Sequence, residues 1–358
     1  MRFFYSRVGD RLAAEQRTAD LQSRMELAMR FLQTSDSTFQ PPFKIANVHL
    51  VNALCISPDK LYREFEEVLR SVDRFKNGRI YFVVRRKKVR FKSVKINGSC
   101  TLIFKFSCAG FLSPAYKIPM SVFLHGSTDV NKAYFPTPRH LQPFMHLVKS
   151  ESDYQSLLRK NPNAVGIMPA VGDIDRSDRA FTFNLLLPID QVPSKQNRHT
   201  VFAHQLLRIL DIDEGPYEIR YIGKAMDLKD RTDGHSQIQQ SQNECQNDEE
   251  IFLYFFTPIF NALASLDGAY IYKPSDLNRL EEEKLVLIAE AGLINYFAPE
   301  LNKHHKKSDI TKSKTILPLK LLKYTHLGIE CIFDEYDFAF ETESVAKSNH
   351  HKKIFDLN

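Results

Sequence analysis

The sequence predicts a mixed α/β (α+β) protein: a small sandwich of a short sheet with flanking helices, preceded by a separate mixed α/β N-terminal domain. Three observations carry this. A chain of 358 residues is longer than a typical single domain. Hydrophobic residues make up 43% of it and include 27 Phe, enough for sizeable cores. From Tyr217 onward, strand-like and helix-like segments follow one another in the order strand, helix, strand, helix.

Taken in order, Leu21, Met25, Ala28, Met29 and Leu32 recur at three- and four-residue spacing and predict an amphipathic helix over 12–32. Ser35 to Pro42 breaks it. Pro58 to Val72 predicts a second helix, with Leu61, Phe65, Val68 and Leu69 on one face. Arg79 to Val84 and Thr101 to Phe106 are strands rich in aromatic and β-branched residues, and Asn97-Gly98 before the second is a hairpin-turn signal. Ile118 to Leu124 reads as a strand, Ser152 to Lys160 as a short helix and Phe181 to Leu187 as another strand.

The polar stretch Pro193 to His199 is the best linker, which sets domains at 1–192, 200–305 and 306–358. In the second of these, Val201 to Leu210 predicts a helix, Tyr217 to Gly223 a strand, and a helix from Asp227 carries Arg231 and His235 one turn apart. Ser236 to Glu250, rich in Gln and Asn, predicts a mobile loop. Ile251 to Phe256 is an apolar strand, and Ser275 to Phe297 a long helix capped by Ser275 or Asp276. In the tail, Leu319 to Tyr324 alternates polar and apolar, Gly328 to Phe333 is a strand, and a frayed end is expected from Ser344.

Composition narrows the function classes. No stretch approaches the roughly 20 apolar residues of a membrane helix, and Met1 to Asp10 lacks a signal-peptide core, so a cytoplasmic protein is expected. Cys55, Cys100, Cys108, Cys245 and Cys331 are scattered, form no CxxC pair or Cys/His cluster for zinc, and are expected as reduced thiols. His304-His305 and His350-His351 lack a third ligand at suitable spacing, and no glycine-rich phosphate loop is present.

The formal net charge of +6 is unevenly spread. Arg85, Arg86, Lys87, Lys88 and Arg90 belong to an acid-free basic run from Arg74 to Lys95. A second run holds Lys303, Lys306 and Lys307. Such runs attract phosphate backbones through counterion release, and they also occur as solvated faces. Together with Lys224 they are the candidate nucleic-acid contacts.

The candidate chemistry lies in Tyr221-Ile222-Gly223-Lys224, with Arg231 ten residues after Tyr221 and His235 four residues further, and in Glu290, Leu293, Ile294, Pro299 and Asn302. A tyrosine can pass a proton, an arginine can steady phosphate charge and a carboxylate can hold a divalent metal. Taken singly, Tyr221 reads equally as a core-edge tyrosine, Arg231 beside Asp227 and Asp230 as a surface ion-pair member, and His235 as a solvated histidine. Glu290 lies among Leu287, Ile288, Leu293 and Ile294, where an unpaired carboxylate would be costly.

The order and spacing of these residues resemble the GIY-YIG nuclease superfamily over about 215–305. The resemblance implies a metal-dependent endonuclease acting on DNA. Glu290 would carry Mg²⁺ (or Mn²⁺), Tyr221 would handle the proton of the attacking water, Arg231 and His235 would stabilise phosphate charge, and Asn302 would orient the site. The GIY half of the signature should lie about ten residues earlier on the neighbouring strand, and the window Leu207-Arg208-Ile209-Leu210 holds no tyrosine. The alternatives are a catalytically inactive nucleic-acid-binding module of the same fold and a protein-interaction scaffold. RNA, a protein partner and a homo-oligomer stay open as partners.

Overall fold

A computed structural model describes residues 43–56, 78–124, 137–169, 175–176, 178–187, 198–213, 215–225, 236–266, 269–272, 276–306, 310–333 and 339–358. The expected helices over 12–32 and 58–72, and Arg231, His235 and Lys307, lie outside the described residues.

The chain forms two units, and neither follows the expected domain boundaries. One comprises residues 1–86, 216–245 and 251–358; the other comprises 87–215 and 246–250. The first is built on a sheet of nine strands, far larger than the expected short sheet. Its hydrogen-bonded order is β17 (Val345–Ser348), β16 (Phe340–Thr342), β12 (Tyr217–Lys224), β2 (Ile80–Lys87), β13 (Glu249–Leu266), β1 (Phe43–Ile56), β15 (His326–Ile332) and β18 (His350–Asp356), with β14 (Ala269–Tyr272) paired to β13. The boundaries had to move because β1 and β2, early in the chain, are ladder partners of β13 and β12. The segment taken for an extension supplies β15 and β18 to the same sheet. The end expected to fray from Ser344 is therefore held in strands.

Alternation along each strand sends residues to opposite faces. Ile80, Phe82 and Val84 of β2, and Phe252, Tyr254 and Phe256 of β13, enter the larger core with the helix Glu282–Phe297. Tyr81, Val83, Ile251, Leu253 and Phe255 enter a second core on the other face, with Ile238 of the helix Ser236–Asn243. Strands buried on both faces read as continuous apolar runs, which is why Ile251 to Phe256 was recognisable. Ser236–Asn243 was expected as a loop. One apolar residue, Ile238, is enough to dock it.

The long helix begins at Glu282, later than expected, because Asp276 is engaged by Lys44 (2.7 Å) rather than in capping. It ends at Phe297 as predicted. Ala298 adopts left-handed φ 47°, its N–H donating to the Ile294 carbonyl, and Pro299 follows.

In the second unit two sheets pack through Phe91 and Phe181, whose ring centroids are 5.7 Å apart. One sheet holds β3 (Val89–Ile96), β4 (Thr101–Cys108), β5 (Phe111–Leu112) and β6 (Tyr116–Pro119). The other holds β7 (Met145–Leu147), β8 (Val165–Pro169), β9 (Asp175–Arg176), β10 (Ala180–Leu186) and β11 (Arg198–Phe202). The β3–β4 hairpin forms as predicted, with Asn97 accepting at its side chain from the Thr101 N–H (2.9 Å). Among the described residues of this unit, the helices in order are α1 (Met120–Leu124), α2 (Pro138–Leu141), α3 (Glu151–Lys160) and α4 (Ala203–Ile209). Among those of the first unit they are α5 (Ser236–Asn243), α6 (Glu282–Phe297) and α7 (Leu317–Leu321). Two boundaries differ from expectation: the strand over 118–124 turns helical at Met120, and the helix over 201–210 starts only at Ala203, because Val201 pairs with Phe181.

Candidate functional site

The Tyr221 strand owes its geometry to one extra residue. In the ladder of β12 with β2, Ile219 faces Val84 and Tyr221 faces Val83, leaving Arg220 as a bulge. A one-residue insertion inverts the side-chain phase beyond it. Ile219 and Ile222 therefore both enter the larger core, while Tyr221 turns to the opposite face and packs in the second core.

There it meets Tyr81 of β2, ring centroid to ring centroid 6.0 Å and tilted 42°. Tyr81 is the register partner of Gly223. A Cβ on Gly223 would lie 2.5 Å from the Tyr81 hydroxyl and 2.7 Å from the Tyr221 ring, so a glycine is required between the two phenols. The run Gly78-Arg79-Ile80-Tyr81 opens that neighbouring strand, and residues 87–215 of the second unit lie between the two strands in sequence, so the tyrosine pair is not visible from spacing.

Asn302 comes to the same strand from its other side. Its Oδ1 accepts from the Ile222 N–H (2.9 Å) and its Nδ2 donates to the Ile222 carbonyl (2.8 Å), while the Leu301 N–H donates to the Arg220 carbonyl (3.0 Å). Residues 301–302 thereby continue the ladder on the edge of β12. Asn302 is 7% exposed, and both ends of its carboxamide are engaged by the Ile222 backbone.

Glu290 is half-buried on α6 rather than deeply buried, and α6 covers the sheet face opposite the tyrosine pair. Lys224 lies 3.6 Å from Glu283 at the start of α6. Among the described residues no group of three His, Cys, Asp or Glu side chains could hold a metal.

The first basic run is not an open cationic strip. Arg85 donates twice to Glu218 (2.5 and 3.0 Å). Arg86 is buried, 3.6 Å over the Phe252 ring, with Nη1 donating to the Tyr254 hydroxyl (3.2 Å). Lys87 pairs with Asp248 (3.0 Å) and Glu249 (3.3 Å), and the hydrogen bond it donates to Asp248 leads the causes that raise its pKa. Arg90 pairs with Glu250 (2.5 Å) and Asp178 (3.3 Å), and Lys88 donates to the Asn247 carbonyl (2.8 Å). The acids absent from the run arrive from elsewhere in the chain. In the second run Lys303 is exposed and Lys306 donates to the Glu300 carbonyl (3.5 Å).

The bulge residue Arg220, 5% exposed at its side chain, binds Glu218 (2.9 Å), Glu244 (2.5 Å) and Glu300. Burial pushes Glu218 up, but the hydrogen bonds from Arg220 and Arg85 prevail and hold it below the ordinary carboxylate value. Nothing in the sequence around Arg220 marked this network, whose acids lie up to 80 residues away.

No protein-family model, curated protein or solved structure matches the chain. No helix among the described residues is long and apolar enough to cross a membrane.

Proposed function

We propose that the chain is a divalent-metal-dependent endonuclease of GIY-YIG type acting on DNA. The observation that carries the reading is the Tyr81–Tyr221 pair, set on adjacent antiparallel strands over Gly223. The sequence lacked a partner tyrosine near Tyr221; the sheet supplies one. Tyr221 is half-exposed and takes the proton-handling role, since a phenol can accept or relay a proton from attacking water. Tyr81, 3% exposed, is a positioning residue that fixes the Tyr221 ring from behind.

The resemblance gives Glu290 the metal, but Glu290 sits across the sheet from Tyr221 and no metal-holding group of His, Cys, Asp or Glu forms around it among the described residues, so the residues shown do not by themselves fit a metal centre beside the tyrosine pair. A divalent ion, if held there, would supply charge to a phosphate oxygen. Arg231 and His235 keep the charge-stabilising roles that the resemblance gives them. Asn302 holds the Tyr221 strand in register through Ile222.

The test is nicking of supercoiled plasmid with Mg²⁺ or Mn²⁺. Tyr221→Phe and Glu290→Ala should each lower the rate at least ~100-fold, the scale of a lost proton-transfer group or metal ligand. A Glu290→Ala protein that cleaves at the wild-type rate would reject the reading. Salt-sensitive DNA binding without nicking in any divalent metal would favour the catalytically silent module, which the committed carboxamide of Asn302 also suits.

A further inference from the structure

Residues 310–324 carry Lys312, Lys314, Lys320 and Lys323 and no Asp or Glu. The function proposed above uses none of them. The segment runs through two single 3₁₀ turns, Ile310–Lys312 and Lys314–Ile316, into α7. Its inner side is fixed, because Ile310, Ile316, Leu319 and Tyr324 are buried in the larger core of the first unit. Its backbone is fixed as well. The Ser313 hydroxyl accepts from the Thr315 N–H (3.2 Å), Pro318 stands in the first turn of α7, and Lys44 donates to the Leu322 carbonyl (2.8 Å).

What stays outside is of two kinds only. The exposed residues of the segment are Lys312, Lys314, Leu317, Leu321 and Lys323. Leu317 and Leu321, 51% and 74% exposed, stand one helical turn apart and so on one side of α7. Lys320, half-buried, is three residues from Leu317 and flanks that side. The helix is closed by Lys323 at φ 60°, its N–H donating to the Lys320 carbonyl (2.8 Å). That left-handed position favours glycine, and a lysine is held there instead. Unlike the first basic run, whose charges are met by acids from elsewhere, Lys314, Lys320 and Lys323 enter no ion pair among the described residues.

We infer that this segment docks the first unit onto an anionic lipid surface, with Leu317 and Leu321 entering the acyl boundary and Lys314, Lys320 and Lys323 against the head-group phosphates. Apolar side chains that project from a rigid turn gain by leaving water, and lysines beside them gain from the negative potential of such a surface. Nucleic acid would use the lysines and leave both leucines in water. A protein partner would need a buried patch of roughly 800 Å² on each side, whereas a bilayer accepts a projection of two leucines. The inference goes beyond the nuclease reading and shares no residue with it.

The experiment is co-sedimentation of the full chain with vesicles of phosphatidylcholine, alone or with about a third phosphatidylserine, over a range of salt. The anionic vesicles should bind the chain and the neutral ones should not. Lys314→Gln/Lys320→Gln/Lys323→Gln should weaken binding about 100-fold, near fivefold for each lysine. Leu317→Ser/Leu321→Ser should weaken it at least tenfold and leave the salt dependence unchanged. Leu321→Ser alone, at the more exposed position, gives a milder version whose folding can be checked by thermal unfolding. No sedimentation with anionic vesicles, equal sedimentation with neutral ones, or wild-type binding by both leucine variants would overturn the inference. So would an equal loss towards duplex DNA or polyglutamate in the lysine variant with none in the leucine variants, which would mark a surface for another polyanion. Nicking of free plasmid should be the same in all these variants. A chain that binds anionic vesicles as expected and nicks nothing would support the docking surface and reject the nuclease reading.

Discussion

Between the two phenols at Tyr81 and Tyr221 there is room for a hydrogen at Gly223 but none for a methyl group. Gly223→Ala should therefore force the rings apart and cost about 1–3 kcal/mol, the usual penalty of overpacking. Urea unfolding would measure that loss, and nicking should fall with it. Asn302 offers a sharper distinction. As a clip on Ile222 it satisfies a buried donor and a buried acceptor at once, so Asn302→Ala should destabilise by about 2 kcal/mol. Asn302→Asp should do worse, setting a carboxylate oxygen against the Ile222 carbonyl. A catalytic asparagine would instead lose activity with stability intact. At this scale the sequence revealed half of the arrangement. Tyr221, Gly223 and Asn302 were legible as a group, and 302 does meet the strand of 221–223. Tyr81 was not, because the tyrosines are brought together by a ladder between strands remote in sequence, and spacing carries no record of that.

The β12 bulge ties strand geometry to pH. Arg220, displaced from the ladder, is held by three carboxylates; Glu218 is lowered against burial by Arg220 and Arg85, and Glu244 is lowered first by the hydrogen bond from Gln240 and then by Arg220. Carboxylates depressed in the folded state contribute stability that is full above their ordinary value of 4.5 and is lost as pH falls through the folded value. Arg220→Ala, which leaves the part-buried Glu218 without one of its two cations while Glu244 and Glu300 are solvated, should cost about 1–2 kcal/mol at pH 7. Acid titration followed by circular dichroism should find the variant less sensitive to pH below 4.5 than the parent.

β18 gives the opposite kind of group. His351 is 1% exposed among Phe297, Tyr296 and Phe333, and burial leads the causes that lower its pKa. Below its ordinary 6.5 the unfolded chain takes up a proton that the folded chain refuses. Stability should therefore drop between pH 7.5 and 5.5, and His351→Leu should remove part of that drop in paired urea titrations. Among the elements, β12, β10 and α3 were readable because their apolar periodicity is local. The helix α5 was not, since its eight residues carry one buried apolar side chain, and β18 was not, because its burial comes from β15 rather than from its own composition.

Across the whole molecule, chain order and spatial order diverge. The sheet of the first unit draws its strands from both ends of the chain, and this is the part of the fold that periodicity could not reveal. Buried groups follow the same plan. Cys331 lies fully in the larger core, and burial pushes the Cys100 thiol in the second unit up to about 11. In a timed reaction with a disulfide reagent at pH 8, both should stay silent in the native protein, while the half-buried Cys55, Cys108 and Cys245 react first.

Insertion of the second unit between β2 and β12 also bears on how the chain finds its fold. Arg86 and Tyr217 are cross-strand partners, positions that an ordinary hairpin would join with a few residues. Here roughly 130 residues intervene, and closing so long a flexible span costs about 3 kcal/mol more in chain entropy than closing a short turn. A folded second unit removes that cost, because it already brings its own ends together: a Cβ on Gly215 would sit 3.2 Å from the Lys87 side chain. The tyrosine pair should thus assemble late, after the inserted unit has folded. Weakening that unit by a core substitution such as Phe181→Ala should slow the appearance of the Tyr81–Tyr221 site in refolding, although neither tyrosine belongs to the unit that was changed.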